Sequence, residues 1–460
     1  MQQEPIFCDV VESAKDVSQN LLFPHDQLKE KTEIERYFSL CSSKYIDLLE
    51  KIHLKFLNSG TKETNTRIFI CIPSGHEEKN IYRTLKNLSL QSKSLLKQTE
   101  ILILDNIKEN ELFDKTIKKI QLFKRRYPPM NIYYVRIIVP SDMPFGNIRK
   151  ISLDIALYKI YKRHLKFHIN GRHLLVMNDA DCWGYSNNYL SSIFKEFEKD
   201  NSLGILVGSF LYPLSSFKKY PLLAVAFLFH RFYRNIKEKN NSSYIPWTTG
   251  RVTVFRADIY AGIGGINGMI DKSSDIEIRE RILKLRNKNF EIKVKRGNFY
   301  IITDPRRVLT KISMPDKNYS DEFEDINWTR CKKIYGKSWK DNNYLLPQKL
   351  IKEGVEKELS GILIKKAYRD GFIKNLKNLD QKDIIGLSEW LRINFVVIKE
   401  IFQILKIKKY KIYPTRKVII NRNKIPRIVA IGDISGLESI LFNLRSIKGY
   451  ERILASCVIR

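Results

Sequence analysis

Short apolar stretches alternate with amphipathic segments between residues 67 and 197. Continuous apolar runs of this length are typical of buried strands, and apolar residues that recur every three or four positions are typical of helices packed on a sheet. The alternation predicts an α/β protein with an open, mostly parallel sheet and helices on both faces. The expected strands are 67–73, 100–105, 132–139 and 173–178, and the expected helices have inner faces at Ile81, Leu85 and Leu88, within 112–126, at Ile148, Ile151 and Ile155, and at Tyr189, Ile193 and Phe197.

The same pattern divides the chain into four regions. Residues 1–65 are expected to form an N-terminal helical lead-in, and residues 66–312 the α/β domain that contains the parallel sheet. The alternation fades after Asp304-Pro305. Residues 313–425 are expected to form a mainly helical, basic C-terminal region, and residues 426–460 a terminal strand–turn–helix element.

Composition places the chain among folded proteins. Its 460 residues are 43% hydrophobic and 11% aromatic, which excludes a disordered chain. No apolar run approaches the roughly 20 residues of a membrane-spanning helix, and the N-terminus lacks the features of a secretory signal. The six cysteines are scattered without a Cys-x-x-Cys pair, so neither a zinc site nor a disulfide framework is indicated. A cytoplasmic location is expected, with peripheral contact at the inner membrane face as a further expectation.

The net charge of +31, from 81 Lys+Arg against 50 Asp+Glu, suits an anionic partner such as a phosphorylated substrate, a phospholipid surface or nucleic acid. The alternative is a surface of ordinary solvated lysines. Residues 406–424 hold eight Lys/Arg and no acid, and we expect them to favour anionic membranes or lipid-linked acceptors. No motif typical of RNA or DNA binding is present, so a specific nucleic-acid partner is not expected.

Two of the predicted strands end at acidic or amide residues. In an open parallel sheet, ligands bind outside the carboxyl ends of the strands. Those ends are Pro73, Asp105, Val139 and Asn178-Asp179. Asp179 and Asp181 follow an apolar Leu-Leu-Val-Met strand, and two carboxylates in such a place suit a hard divalent cation that keeps waters and shares substrate phosphates.

Taken in order, these segments resemble the glycosyltransferases of the family-2 type, which have the nucleotide-sugar-binding fold called GT-A. The resemblance covers about residues 66–310 and departs from the family pattern at Gly75, His76, Asn106 and Ser274. The segments that carry it are Pro73-Ser-Gly-His-Glu77 with Asn80-Ile81, Asp105-Asn106, Gly146-Asn-Ile-Arg149-Lys150, Asp179-Ala-Asp181, Thr249-Gly250-Arg251 with Arg256 and Gly264-Gly265, and Ser274-Asp275-Ile-Glu277-Ile278.

The resemblance implies transfer of a sugar from a nucleotide-diphosphate donor, with a UDP-sugar expected, to a hydroxyl of a glycan, lipid-linked or other acceptor in glycan biosynthesis. It implies a Mn²⁺ or Mg²⁺ ion on Asp181, with Asp179 reaching the ribose or the metal. An inverting transfer needs a carboxylate to deprotonate the acceptor, and Asp275 is the expected base. The other implied nucleotide-sugar contacts are Pro73, Glu77, Asp105, Arg149 or Lys150, Gly250 and Arg251.

Other interpretations remain open at this point. Asp275 could be an N-terminal helix acid that complements the helix dipole, with Ser274 as the cap. Arg149 and Lys150 could belong to a solvated helix face. At the level of function, the alternatives are a nucleotidyltransferase and a non-catalytic protein that binds acidic glycan or nucleic acid. The segment 73–77 lacks the glycine-rich loop with Arg and Lys of nucleotidyltransferases, and a binding protein has no need of the acid pair.

Overall fold

The computed structural model shows two compact units, one comprising Met1–Leu211 with Ile245–Thr303 and the other Tyr212–Tyr244 with Asp304–Arg460. The first unit holds all of the predicted site. The residues that the structure describes are 5–7, 30–57, 66–167, 172–213, 245–246, 250–270, 274–286, 292–305, 367–368, 370–374, 380–394, 409–412, 419–420, 426–427 and 429–433.

The first unit is built from strands and helices that alternate along the chain. In order these are β1 (Ile6–Phe7), α1 (Glu30–Ser39), α2 (Ser43–Leu57), β2 (Ile68–Ser74), α3 (Ile81–Leu88), α4 (Lys93–Lys97), β3 (Thr99–Lys108), α5 (Thr116–Arg126), β4 (Asn131–Val139), α6 (Phe145–Phe167), β5 (Leu174–Asn178), β6 (Cys182–Tyr185), α7 (Tyr189–Lys199), β7 (Leu203–Leu211), β8 (Val252–Arg256), α8 (Ala257–Gly262), α9 (Ser274–Arg286) and β9 (Lys293–Thr303).

Within the described residues, these strands form one nine-stranded sheet with the order β1-β4-β3-β2-β5-β8-β7-β9-β6. The strands β1, β4, β3, β2 and β5 pair in parallel, whereas β8 is antiparallel to both of its neighbours. The carboxyl ends of β2, β3 and β5 therefore meet at one edge of the sheet, which is where ligands bind in open α/β proteins.

Two apolar cores lie on the two faces of the sheet. Successive side chains of a strand point to opposite faces, and β2 shows this directly. Phe69 and Cys71 pack with helices α1, α2, α6, α8 and α9, whereas Ile68, Ile70 and Ile72 pack with α3, α5 and α7. The expected fold class, an open and mostly parallel sheet with helices on both faces, is confirmed.

Three details differ from the sequence prediction. Strand β3 continues past Asp105 to Lys108, so Asp105 lies inside the strand rather than at its end. Helix α5 begins at Thr116 instead of residue 112, which leaves Leu112 and Phe113 in the preceding loop. The short edge strand β1 lies within the expected helical lead-in, and it was not predicted because two residues are too few to show a periodicity.

In the second unit, the structure describes helix α10 (Gln381–Ile393) and the strands β10 (Lys409–Ile412), β11 (Ile419–Ile420), β12 (Pro426–Arg427) and β13 (Val429–Asp433). Asp380 and Asp383 form a capping box at the start of α10, which satisfies amide groups that the first helical turn leaves unpaired. The basic segment 406–424 lies outside the described residues apart from β10 and β11. None of the described helices has the length and apolar character that crossing a bilayer requires.

Candidate functional site at the carboxyl edge of the sheet

The ends of β2, β3 and β5 bring several of the predicted site residues to one edge. In the pairing of β2 with β3, Pro73 lies opposite Leu104 and Ser74 opposite Asp105. On its other side β2 pairs with β5, which ends at Asn178, the residue directly before Asp179. The sheet itself therefore places Pro73, Asp105 and Asp179 at a common edge.

Asp179 lies between two arginines that come from different parts of the chain. Its Oδ1 is 3.7 Å from Nη2 of Arg149, in the second turn of α6, and its Oδ2 is 3.4 Å from Nε of Arg251, directly before β8. Each guanidinium also lies over an aromatic ring, Arg149 over Phe145 at 4.8 Å and Arg251 over Phe210 at 4.7 Å. The two cations are thereby held at the sheet edge in positions suited to a diphosphate.

Gly250 is part of the same arrangement. A Cβ atom at this position would collide with the guanidinium of Arg149, so the backbone before Arg251 passes directly under the Arg149 side chain. The predicted contacts Arg149, Asp179, Gly250 and Arg251 are thus brought together by the structure.

Asp181 is buried and is held by contacts on both sides of the loop between β5 and β6. Its Oδ1 accepts a hydrogen bond from the Thr303 hydroxyl of β9 at 3.1 Å. The hydroxyl of Thr84, in α3, lies 2.7 Å from the carbonyl oxygen of Ala180 and 2.9 Å from that of Cys182. Thr84 and Thr303 therefore fix the loop that carries the acid pair. Neither residue was identified from the sequence, because no local pattern connects them to Asp181.

Asp105 is the most deeply buried of the acidic residues at this edge. It is fully buried, and its Oδ2 accepts a hydrogen bond from Nε of Arg136 at 2.6 Å. Burial raises the pKa of the Asp105 carboxyl to about 7, although the Arg136 guanidinium acts in the opposite direction. Three buried oxygens here have no hydrogen-bond partner in the described part of the chain: Oδ1 of Asp105, Oδ1 of Asn106 and Oγ of Ser74. Buried polar groups are normally satisfied, so these three oxygens need a partner from outside the described residues, either ordered water or a polar ligand.

Glu77 is placed by the loop that follows β2. Asn80 donates from Nδ2 to Oε2 of Glu77 at 2.8 Å and accepts, at Oδ1, a hydrogen bond from Nε1 of Trp183 at 3.1 Å. His76 has a positive φ of 54° and lies 2.8 Å from Glu111. The loop is consequently joined both to β6 and to the loop after β3, and Glu77 lies at the same edge as the acid pair.

Lys150 is not brought to this site. Its side chain is 1% exposed, and its ammonium group forms an ion pair of 2.8 Å with Asp154 inside the core. Asp154 also accepts hydrogen bonds from the hydroxyls of Tyr37 and Tyr45 at 2.8 Å and of Tyr260 at 2.7 Å. The expectation of a nucleotide contact at Lys150 therefore has to be corrected: neighbouring helical residues point in different directions, and only Arg149 of the pair faces the acid pair.

The predicted base, Asp275, lies in the first turn of α9, and the structure describes only its backbone. Further along α9, Arg281 donates from Nη1 to the carbonyl oxygens of Ile263 and Gly265 and pairs with Glu277. Gly265 has a φ of +69°, which favours glycine. Helix α9 is thus fixed to the Gly264-Gly265 turn by a buried arginine.

One further cluster could hold a metal ion, but it lies elsewhere. Among the described residues, the only three His, Cys, Asp or Glu side chains with ligand atoms within 4.8 Å of one another are Glu30, His164 and His173. Hydrogen bonds from both histidines keep the pKa of Glu30 below its ordinary value, although burial acts to raise it. His173 precedes the first residue of β5, whereas Asp179 follows its last. This cluster is therefore at the opposite end of β5, and it is not the site predicted from the acid pair.

Comparisons with known proteins give distant structural similarities only. No family model and no curated protein matches the chain. The mannosyltransferase PcManGT from Pyrobaculum calidifontis, in complex with GDP-Man and Mn²⁺, is 12% identical, with 83% of this chain and 88% of that chain covered and a TM-score of 0.36. TarS 1-349 from S. aureus is 12% identical, with coverages of 84% and 90% and a TM-score of 0.34.

A third similar structure is glucosyl-3-phosphoglycerate synthase from Mycobacterium tuberculosis in complex with Mn²⁺, UDP and phosphoglyceric acid. It is 12% identical, with coverages of 54% and 72% and a TM-score of 0.29. These similarities concern the fold. At such TM-scores they do not indicate what this chain binds or does.

Proposed function

We propose that this protein is a glycosyltransferase that moves a sugar from a nucleotide diphosphate, most simply a UDP-sugar, to an acceptor hydroxyl with inversion at the anomeric carbon. The observation that carries the proposal is the position of Asp179 between Arg149 and Arg251, next to Asp181, at the carboxyl ends of parallel strands. Paired arginines beside a second acid suit a diphosphate better than they suit a neutral ligand.

The nucleoside is assigned to the place where buried oxygens lack partners. Oδ1 of Asp105, Oδ1 of Asn106 and Oγ of Ser74 would receive hydrogen bonds from the base and the ribose, which satisfies groups that are otherwise costly to bury. Glu77, held by Asn80, would accept a further hydrogen bond from the ribose. The glycine at position 75 keeps the space beside Asn106 open, because a Cβ atom at this position would lie only 3.0 Å from Nδ2 of Asn106.

The diphosphate is assigned to Arg149 and Arg251, whose charges would offset the negative charge of the leaving group. The residues present also fit a divalent ion, since Asp179 and Asp181 offer too few ligands for an all-protein cage but enough for an ion shared with phosphate oxygens. A Mn²⁺ or Mg²⁺ ion held by Asp181, with Asp179 beside it, would supply further positive charge at the developing diphosphate. Thr303 would keep the Asp181 carboxylate oriented through its hydrogen bond.

The acceptor side is assigned to the start of α9. Asp275 would take the proton from the acceptor hydroxyl as that oxygen attacks the anomeric carbon. The hydrogen bonds of Arg281 to the carbonyl oxygens of residues 263 and 265 support this assignment, since they fix the helix that carries the base.

A donor-hydrolysis and transfer screen tests the proposal. The purified chain is incubated with Mn²⁺ or Mg²⁺ and a panel of UDP-, GDP- and dTDP-sugars, and the released nucleoside diphosphate is measured. We expect release from at least one donor, and loss of that release in Asp181→Asn and in Arg251→Gln. Asp142→Asn, an exposed acid in a loop, is the matched control and should behave like the wild type.

Calorimetry with UDP supplies an independent measurement. Binding should be tighter with Mn²⁺ than with EDTA, and the difference should vanish in Asp181→Asn. Equal affinity under both conditions, or nucleotide release that survives both substitutions, would contradict the proposed site. Binding of UDP without any sugar release or transfer would leave a nucleotide-binding protein and overturn the assignment as a transferase.

A further inference from the structure

The outward face of α5 carries a stripe of cations, which we call the α5 stripe. Thr116, Ile120 and Phe123 are the buried side of the helix. The exposed positions follow the three-and-four spacing of one helical face. The exposed cations that form the stripe are Lys115, directly before the helix, and Lys118, Lys119, Arg125 and Arg126.

The stripe is not balanced by acids in its own part of the chain. From Lys115 to Ser141 there is no Asp or Glu, although about one residue in nine of the whole chain is acidic. The exposed face of α2 shows the ordinary arrangement, with Asp47 between Lys44 and Lys51. Five like charges on one face repel one another unless a negative surface lies opposite them.

The acids that lie nearest to the start of the stripe already have partners. Glu78 accepts a hydrogen bond from the backbone amide of Lys115 at 3.1 Å. Asp114 pairs with Arg136 at 3.1 Å and caps the amide of Thr116 at 3.0 Å. Glu111 pairs with His76 at 2.8 Å. These carboxylates hold the loop before α5 in place, and their contacts are at the Lys115 end of the stripe rather than along Lys118, Lys119, Arg125 and Arg126.

Large apolar side chains are exposed beside these cations. Leu112 is 90% exposed and Phe113 59% exposed, both in the loop that leads into α5, and Leu122 is 38% exposed in the middle of the stripe. Exposed leucine and phenylalanine next to lysine and arginine are typical of helices that lie in a membrane interface, with the apolar groups among the acyl chains and the cations at the phosphates.

The neighbouring helix α3 widens the same surface. Tyr82 of α3 packs edge-on against Phe123 of α5 at 5.5 Å, and its hydroxyl accepts a hydrogen bond from Arg126 at 3.2 Å. Arg83 and Lys86 on α3 are exposed. No acid occurs from Lys79 to Thr99, so the second helix adds positive charge without negative charge.

We propose that the α5 stripe, together with Leu112 and Phe113, docks this protein on a membrane surface rich in anionic phospholipid. The charge of the stripe is complementary to the phosphates of such a leaflet, and the exposed apolar groups have a place to insert. The proposal does not depend on the proposed glycosyltransferase activity. The α5 stripe is separate from the basic segment 406–424.

Vesicle flotation of the full chain tests the proposal, with phosphatidylcholine vesicles compared with vesicles that contain phosphatidylglycerol. We expect binding that requires the anionic lipid and weakens as salt rises. The triple variant Lys118→Gln, Lys119→Gln, Arg125→Gln should bind on the order of a hundredfold more weakly, at roughly fivefold for each charge. The matched control, Lys44→Gln with Lys51→Gln and Leu54→Ser on α2, should bind like the wild type. Circular dichroism and thermal melting establish that each variant is folded.

A second variant separates a membrane from a soluble polyanion. Leu112→Ser with Phe113→Ser keeps every cation and should weaken vesicle binding by about tenfold or more, while binding to heparin or polyphosphate stays unchanged. If the apolar variant bound vesicles normally and the triple variant lost polyanion binding, the surface would be a polyanion site and the proposal would be overturned. Binding that ignores lipid charge, or that the α2 control abolishes equally, would also overturn it. So would binding that survives the triple variant and depends instead on residues 406–424.

Discussion

Gly250 passes directly beneath the guanidinium group of Arg149, with no room for even one added carbon atom. We expect Gly250→Ala to push Arg149 away from Asp179 while leaving the sheet intact. Loss of the proposed charge-assisted contact between Arg149 and the diphosphate should weaken UDP binding by roughly tenfold to a hundredfold. Calorimetry with UDP and Mn²⁺ measures this affinity.

The double variant provides the control for this relationship. If Gly250→Ala acts through Arg149, then Gly250→Ala combined with Arg149→Gln should bind UDP no more weakly than Arg149→Gln alone, because the two changes remove the same interaction. Losses that simply add would show that Gly250 acts on another part of the site.

Asp105 predicts a pH dependence of nucleotide binding. Burial raises the pKa of this carboxyl to about 7, and the proposed role requires the ionised form, which accepts hydrogen bonds from the nucleoside. Affinity for UDP should therefore rise as the pH increases through about 7. Titration calorimetry between pH 5.5 and about 8.5 would show the inflection, because roughly one and a half units on either side of a pKa near 7 covers most of its titration.

Two variants distinguish Asp105 from the phosphate groups of the ligand, which also titrate. Asp105→Asn should lose the protein-derived inflection. Asp114→Asn should keep it but move it to lower pH, because the negative charge of Asp114 contributes to raising the pKa of Asp105. An inflection that persists unchanged in Asp105→Asn would assign it to the ligand.

The sequence was sufficient for the features that are local along the chain. Apolar runs and helical spacing predicted the strands that end near Pro73 and Asn178, so the common edge of Asp105 and Asp179 followed from fold class alone. Strand order beyond β5 did not follow, because β8 pairs with β5 across a stretch of chain that carries no pairing signal.

Contacts between distant residues account for what the sequence did not predict. Thr84 reaches the carbonyl oxygens on either side of Asp181 from 96 and 98 positions away along the chain. The expected nucleotide contact at Lys150 rests on the resemblance of the segment Gly146-Asn-Ile-Arg149-Lys150. The core position of Lys150 could not be predicted, because the three tyrosines around its partner Asp154 come from α1, α2 and α8. Lys150 and Asp154 are four residues apart on one helix, a spacing that favours an ion pair and could have predicted this one from the sequence.

The Asp154 cluster predicts a large effect on stability. Asp154→Asn removes the charge that compensates the buried Lys150 ammonium and disturbs the hydrogen bonds of Tyr37, Tyr45 and Tyr260. Breaking a buried pair in this way lowers the free energy of unfolding by about 3–5 kcal/mol. Urea unfolding followed by circular dichroism measures the change, and Asp142→Asn on the surface should stay within about 0.5 kcal/mol of the wild type.

Lys150→Met tests the same cluster by removing the other partner of the ion pair. It should lower stability, but protein that is still folded should bind UDP with unchanged affinity, because Lys150 lies in the core rather than at the sheet edge. A selective loss of UDP affinity in folded Lys150→Met would instead restore the original expectation of a nucleotide contact.

Asp275 predicts a separation of turnover from binding. As the general base, it should contribute about a hundred- to ten-thousand-fold to the rate, so Asp275→Asn should lose turnover by that order. Because the proposed base acts on the acceptor rather than on the nucleotide, UDP affinity should remain close to that of the wild type. Glu280→Gln, an exposed acid on the same helix, is the matched control and should retain turnover.

The helix-cap interpretation of Asp275 makes the opposite prediction, which is why stability has to be measured in the same variants. An acid that only complements the dipole of α9 contributes about 0.3–1 kcal/mol to stability and nothing to chemistry. Asp275→Asn with normal turnover and a slightly lower melting temperature would therefore favour the cap. The anomeric configuration of the product is an independent test of the two interpretations. Direct displacement by an acceptor that a base has deprotonated inverts the anomeric carbon. A product that keeps the donor's anomeric configuration would remove Asp275 from this role whatever the variant does.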